Sequence, residues 1–432
     1  MTMLEMIERF LLKNRTIVTQ DFKECLALIA QEIPLEIHAY PTGKEFATWP
    51  IPPQWEVKKA LISDGENVIA SYEDHPLFLA PYSHSFTGWV SREDLIAHVL
   101  TSEKTPDTFC YEYRLAYDYR RRLKEWCISL PYTIVQNLNQ PQYFVDIQVE
   151  TSAGHMLVGE SRIKGQYDYT FSFLSHLCHS GQANDGLAGV AVGVEVMKRL
   201  RKLYKNPKYN YQLLITPETI GSAVYLSQCE EQIDSYLGCV FTEMPGVRVP
   251  LVFGHSRRGN TYFDRIMKAA LINLDVDFSE CGHMEVLGND ERVFDSAGVG
   301  VPGLALERIP FDGYHTSRDN LSETHQDALE EVVEVLVELV RILESDFIPA
   351  PQQRVPVYLT RYNLYADWEN AKDNFDLNAS IIENLWSGKS VFDIAHLLGI
   401  SFYDVRHYIL KFVEHGLVKE SPLTPQYVRR NE

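Results

Sequence analysis

Through the middle of this chain, short apolar runs that end in polar, glycine-containing loops alternate with segments whose apolar residues recur every three or four positions. The first pattern is that of a buried strand and the second that of an amphipathic helix. YTFSFLSH (169–176), YNYQLLIT (209–216) and SYLGCVFTE (235–243) therefore predict strands. LAGVAVGVEVMKRLRKLY (187–204), NTYFDRIMKAALINL (260–274) and DALEEVVEVLVELVRILES (327–345) predict helices. Such alternation implies an α/β domain with a mainly parallel sheet and helices on both faces. Two further helices are expected at MLEMIERFLLKN (3–14) and DFKECLALIAQEI (21–33), where Phe22, Cys25, Leu26 and Ile29 repeat at helical steps.

The texture changes between the N-terminal helices and residue 155. GKEFATWPIPPQWEVKKALISDGENVIASY (43–72) is rich in Trp, Tyr, Val, Pro and Gly, which predicts a β-rich module over 41–154 with a helical stretch near SREDLIAHVL. Residues 1–40 and 155–350 then form the α/β domain. Past the proline-containing linker DFIPAPQQRVPVYL, residues 365–432 predict three short helices with Gly399 at a tight turn, a spacing that fits a winged helix.

With 432 residues, the chain is about three times the usual domain length of ~150, in keeping with that division. Its 40 Lys and Arg against 59 Asp and Glu give a net charge of −19, which disfavours nucleic acid and anionic lipid as partners. The stretch 375–420, which fits a winged helix, is no exception. Lys389, Arg406, Lys411 and Lys419 face Asp376, Glu383, Asp393, Asp404, Glu414 and Glu420, a local balance of −2. The apolar face of Phe402, Val405, Ile409, Leu410 and Phe412 is instead assigned to protein contact, with a homo-oligomer expected. No apolar run approaches the ~20 residues of a membrane span, and Glu5 and Glu8 stand where a signal peptide needs basic then apolar residues. A soluble cytoplasmic protein with no membrane partner is expected. Seven cysteines without a CxxC pair argue against a disulfide framework or a cysteine-rich zinc module.

Function in an open α/β sheet collects at the carboxyl ends of its strands. Four loops there are loaded with chemistry: Ser175–Gly186 with His176, His179 and Asp185; Thr216–Ser222 with Glu218; Thr242–Gly246 with Glu243; and Gly313–Asn320 with His315. Imidazoles and carboxylates together suit a catalytic zinc that keeps one position for water. A further carboxylate must then remove the water's proton.

The succession His, Asn184-Asp185 before a small-residue helix, Pro217-Glu218-Thr219-Ile220-Gly221-Ser222, an acidic residue and Tyr314-His315-Thr316-Ser317 resembles the zinc aminopeptidase superfamily. It is most similar to a branch catalogued as domains of unknown function, which carries a β-rich insertion and a C-terminal winged helix. Gly288-Asn289-Asp290-Glu291-Arg292 resembles a fourth segment of that branch, usually with Ser in place of Asn289. The resemblance implies zinc on His179, Asp185 and His315, with His176 competing with His179 for the first place and Glu243 as a further ligand. It places Glu218 as general base. Where dinuclear relatives carry a second Glu, this chain has Thr219, so one zinc ion is expected rather than two. The substrate is expected to be a peptide or small amide, bound by Asp290, Glu291, Arg292 and Arg258, while Asp319 orients His315 or caps a turn. The competing class is a catalytically inactive scaffold or regulator that acts through the winged helix; zinc content separates the two.

Overall fold

The computed structural model describes residues 1–112, 125–285, 288–365 and 372–430. Parts of the predicted β-rich and C-terminal modules, 113–124, 366–371 and 431–432, therefore lie outside the described residues. At its centre is an eight-stranded sheet in the order Glu36–Pro41, His155–Ile163, Asn210–Thr216, Thr170–His176, Tyr236–Glu243, Gly303–Arg308, Leu251–Gly254 and Phe278–Cys281. Four of its pairings are parallel and three antiparallel. The sheet is thus mixed: the four strands from Asn210–Thr216 to Gly303–Arg308 pair in parallel, and the edge strand Phe278–Cys281 is parallel to Leu251–Gly254 through the crossover helix Tyr262–Asn273.

Alternation within the strands explains the two packed faces. Phe171 and Phe173, with Tyr211, Leu213 and Ile215, join the core formed by the helices Met3–Phe10, Gln20–Ile29, Gly189–Leu203, Tyr262–Asn273 and Gln326–Ser345. Leu174, Leu214 and Phe241 turn the other way and meet Ile220, Val224 and Leu226 of the helix Ile220–Ser227. Among the described residues no helix is long and apolar enough to cross a membrane.

A second, antiparallel sheet runs Val68–Ser71, Gln54–Ser63, Gln142–Ser152, Phe86–Ser91. Its long strand Gln142–Ser152 turns directly into His155–Ile163 of the central sheet, which fixes one module against the other. A stretch of the same region reaches across to the loop of His315: Tyr111 N donates to His315 O at 2.8 Å and Ser317 N to Phe109 O at 2.8 Å.

The C-terminal helices Lys372–Asn384, Val391–Leu398 and Phe402–Glu414 are followed by the strand Val418–Ser421, which pairs antiparallel with Ile348–Pro351. The expectation that the apolar face of Phe402–Glu414 meets another protein is corrected here. Phe402, Val405, Ile409 and Phe412 are buried in the chain's own main core. The same segment is tied on by a buried Arg265–Asp393 ion pair at 2.8 Å and by Leu423 N donating to Tyr209 Oη at 2.9 Å. A helical stripe shows that a face is covered and is silent on what covers it.

Candidate active site

His176, Thr216 and Glu243 are the last residues of three adjacent strands, so the sheet delivers their loops to one edge. His176 is buried and stacks on Phe241, with its Nε2 2.9 Å from Glu243 Oε2 and 3.6 Å from Asp185 Oδ1. The chain then loops back so that His179 Nδ1 lies 2.6 Å from Asp185 Oδ1, while His179 Nε2 lies 3.2 Å from Glu218 Oε2. From the far loop, His315 Nε2 comes within 3.2 Å of Asp185 Oδ2. Gly186 makes the turn possible: its φ is +81°, and a Cβ there would stand 2.4 Å from His176 Nδ1.

Potential ligand atoms form two groups that share Asp185, namely His179, Asp185 and His315, and His176, Asp185 and Glu243. His176 and His179 fall in different groups of these two, and together with Cys178 they also form a third. Asp319 does not orient His315. Its carboxylate accepts from the backbone N–H groups of Asn184 and Asp185, both at 2.8 Å, and so holds the Asp185 turn. Gly186 N and Asn289 Nδ2 donate to Glu243 and fix its carboxylate.

Glu218 sits before a γ-turn in which Ile220 N donates to Glu218 O at 2.6 Å and Thr219 adopts φ +61°. A β-branched residue is strained there, and such strain persists only where neighbours impose it. Asp290 supplies the restraint: its Oδ1 accepts from Thr219 N at 3.0 Å and from the Ser222 hydroxyl. Arg292 Nη2 donates to Thr219 Oγ1 at 2.9 Å, and Glu218 N donates to Cys178 Sγ at 3.3 Å. The turn, not substrate, is thus what Asp290 holds.

Burial dominates the electrostatics, and neighbouring charges decide its outcome. It opposes ionisation of Glu218, yet the His179 hydrogen bond and the charges of His179 and His176 bring the carboxyl down to about 2. Asp185 is likewise held well below the carboxylate range by His179 and His315 against its burial. Burial pushes Asp290 up to about 6 and Glu291 up to about 8. Cys178 is brought down to about 7 because His179 and His176 outweigh burial.

These side chains open on a cavity of about 420 Å³ lined by Trp49, Tyr111, His179, Asp185, Glu218, Thr219, Gly288, Asn289, Arg292, Tyr314 and His315. Three of the residues expected to touch substrate, Asp290, Glu291 and Arg258, do not line this cavity. Glu291 is buried with its carboxylate accepting from Asn289 N, and Arg258 is exposed with its guanidinium on the Arg429 carbonyl. Trp49 and Tyr111 line the cavity without any signal in the sequence, since both come from the β-rich region. Tyr111 packs on both imidazoles, with ring centroids 4.9 Å from His179 and 5.1 Å from His315.

The fold is similar to that of aminopeptidases. A zinc aminopeptidase from Bacillus subtilis superposes with a TM-score of 0.56 at 12% identity, over 78% of this chain and 93% of its own. A Clostridium acetobutylicum crystal structure described as a "putative peptidase" superposes at 0.83 with 24% identity, over 97% and 96% of the two chains. In sequence the chain is 28% identical over 403 residues, 91% of its length and 90% of the other, to a C. acetobutylicum protein named "Putative polysaccharide biosynthesis protein with aminopeptidase-like domain". The chain belongs to the family DUF4910, described as a domain of unknown function, whose model matches residues 4–346.

Proposed function

We propose that this chain is a zinc-dependent hydrolase of a peptide or small amide bond, with Glu218 as its general base. One observation carries the reading: His179, Asp185, Glu218 and His315, from three strand-end loops, line one cavity, with His176 and Glu243 buried behind them against Asp185. The donor set suits the metal. Each group offers three ligand atoms within 4.8 Å of one another, and Asp185 Oδ2 is buried without a hydrogen-bond donor. His179, Asp185 and His315 would hold one ion, and His176, Asp185 and Glu243 a second. Bound zinc supplies Lewis-acid polarisation of the scissile carbonyl and lowers the pKa of a coordinated water.

The remaining work belongs to the chain. Glu218, 16% exposed on its pinned turn, accepts the proton of the attacking water and returns it to the leaving amine. Asp290 and Cys178 keep that carboxylate aimed, and Asp319 keeps Asp185 between the two histidines. Trp49, Tyr111 and Tyr314 wall the cavity and limit its water.

Metal analysis and turnover of aminoacyl amides and N-acyl amides test the reading. Glu218→Gln is expected to retain zinc and lose about 10² or more in turnover. His315→Ala is expected to lose zinc. Full zinc in His315→Ala, or unchanged turnover in Glu218→Gln, overturns the assignment.

A further inference from the structure

Recognition of a free α-amine beside the reacting centre needs a carboxylate that faces the substrate. Near this cavity the candidates are engaged or, like Asp290 Oδ2, buried away from its lining. Asp290 is turned onto Thr219 N and Ser222, Glu291 onto Asn289 N, and neither lines the cavity. Glu243 is occupied by His176, Gly186 N and Asn289. Asp185 and Glu218 are each engaged with imidazoles.

Arg292 is the opposite case. It lines the cavity, is half-buried, and makes one side-chain hydrogen bond, to the neutral Thr219 hydroxyl. Among the described residues no carboxylate lies within salt-bridge distance of it, although the chain carries 59 acidic side chains. A guanidinium has five donors in a planar fork that matches a carboxylate with two parallel hydrogen bonds, so most of its capacity is left for a ligand. The other walls are aromatic, from Trp49, Tyr111 and Tyr314, and about 420 Å³ holds a small molecule rather than a polymer.

Resting on the hydrolase reading above, we propose that the substrate is a small amide bearing a carboxylate, an N-acyl amino acid or a dipeptide with a free carboxyl end. Arg292 binds that carboxylate while the aromatic walls take the apolar part. Specificity then lies in a negative charge on the substrate rather than in a free amine.

Equilibrium binding to the zinc-loaded full chain tests this with three probes of similar size: N-acetyl-leucine, N-acetyl-leucinamide and leucinamide. N-acetyl-leucine is expected to bind about tenfold or more tighter than either amide. Arg292→Gln should erase that preference and leave N-acetyl-leucinamide binding unchanged, whereas Arg292→Lys should keep part of it. A structural role at Thr219 alone would weaken all three probes alike. Equal binding of the probes, a preference that survives in Arg292→Gln, or no binding of any probe overturns the proposal. Because the probes are read by binding, a failed carboxylate preference is distinct from a failed hydrolase reading, which shows instead as missing zinc or an unaffected Glu218→Gln.

Discussion

Arg15→Met should loosen the loop that carries His179, although Arg15 itself touches no ligand side chain. Its guanidinium is buried and has only backbone carbonyls as hydrogen-bond partners: Phe10 O at 3.1 Å, Leu177 O at 2.7 Å, His179 O at 2.5 Å and Gln182 O at 3.2 Å. Methionine fills much of the volume and donates nothing. Three loop carbonyls lose their donor, at about 1 to 3 kcal/mol for each one that stays buried. Relief of the buried cation's desolvation offsets part of that, which leaves a net cost of about 3 kcal/mol and an upper bound near the ~5 kcal/mol typical of a broken buried charge contact. A domain with a stability of about 5 to 15 kcal/mol survives this loss folded, so its effect should concentrate in the loop. Urea unfolding measures the first quantity, and zinc retained after dialysis against a chelator measures the second. A variant within about 1 kcal/mol of the parent, with zinc affinity unchanged, refutes the reasoning.

His176→Ala should lower bound zinc by one equivalent while the group of His179 and His315 keeps its own, as read by metal analysis; loss of all zinc would show that the groups do not fill independently. Truncation after residue 370 should give aggregated or unfolded protein rather than a smaller oligomer, because it uncovers Tyr209 and leaves Arg265 buried without Asp393, a loss of about 3 to 5 kcal/mol before any apolar exposure. A soluble, cooperatively unfolding fragment would disprove that. Glu160 is pulled down to about 2, as its bonds to His38, Gln212 and Tyr225 and the charge of Arg162 outweigh burial. A carboxyl lowered on folding stabilises above its unfolded value of 4.5, and that stability is lost as pH falls from there toward 2. Glu160→Gln should therefore flatten the dependence of unfolding free energy on pH over that window and, because the Glu160 hydrogen bond raises the pKa of His38 above 6.5, should also remove the loss of stability as pH rises past that value.

What the sequence made legible follows from local chemistry. Buried strands write apolar runs, and a polar loop after each run marks the sheet edge where function collects, so His176, His179, Asp185, Glu218, Glu243 and His315 stand out in the sequence itself. The direction of a side chain has no such signature. Asp290, Glu291 and Arg292 are consecutive, yet the first holds a turn, the second is buried on Asn289 N, and the third lines the cavity. Contacts distant in sequence were equally silent: Arg15 reaches a loop more than 160 residues away, and Tyr111 reaches His315 from a separate sheet region. The helix Phe402–Glu414 failed for a third reason, since a pattern of period 3.6 reports burial without its partner.

The expectation of a single zinc ion rests on one residue, Thr219. Thr219 does stand where a carboxylate ligand was sought, and its hydroxyl accepts from Arg292 rather than joining either ligand group. The inference to one ion assumed that no other residue could complete the set. Two histidines in a single loop offer donors for a second set, because the turn at Gly186 brings His179 to Asp185 alongside His315 while His176 remains with Glu243 at the strand ends. Each group then has three donors without Thr219. A threonine at 219 also gives Arg292 a neutral hydroxyl where a glutamate would neutralise it, which fits the proposed substrate carboxylate.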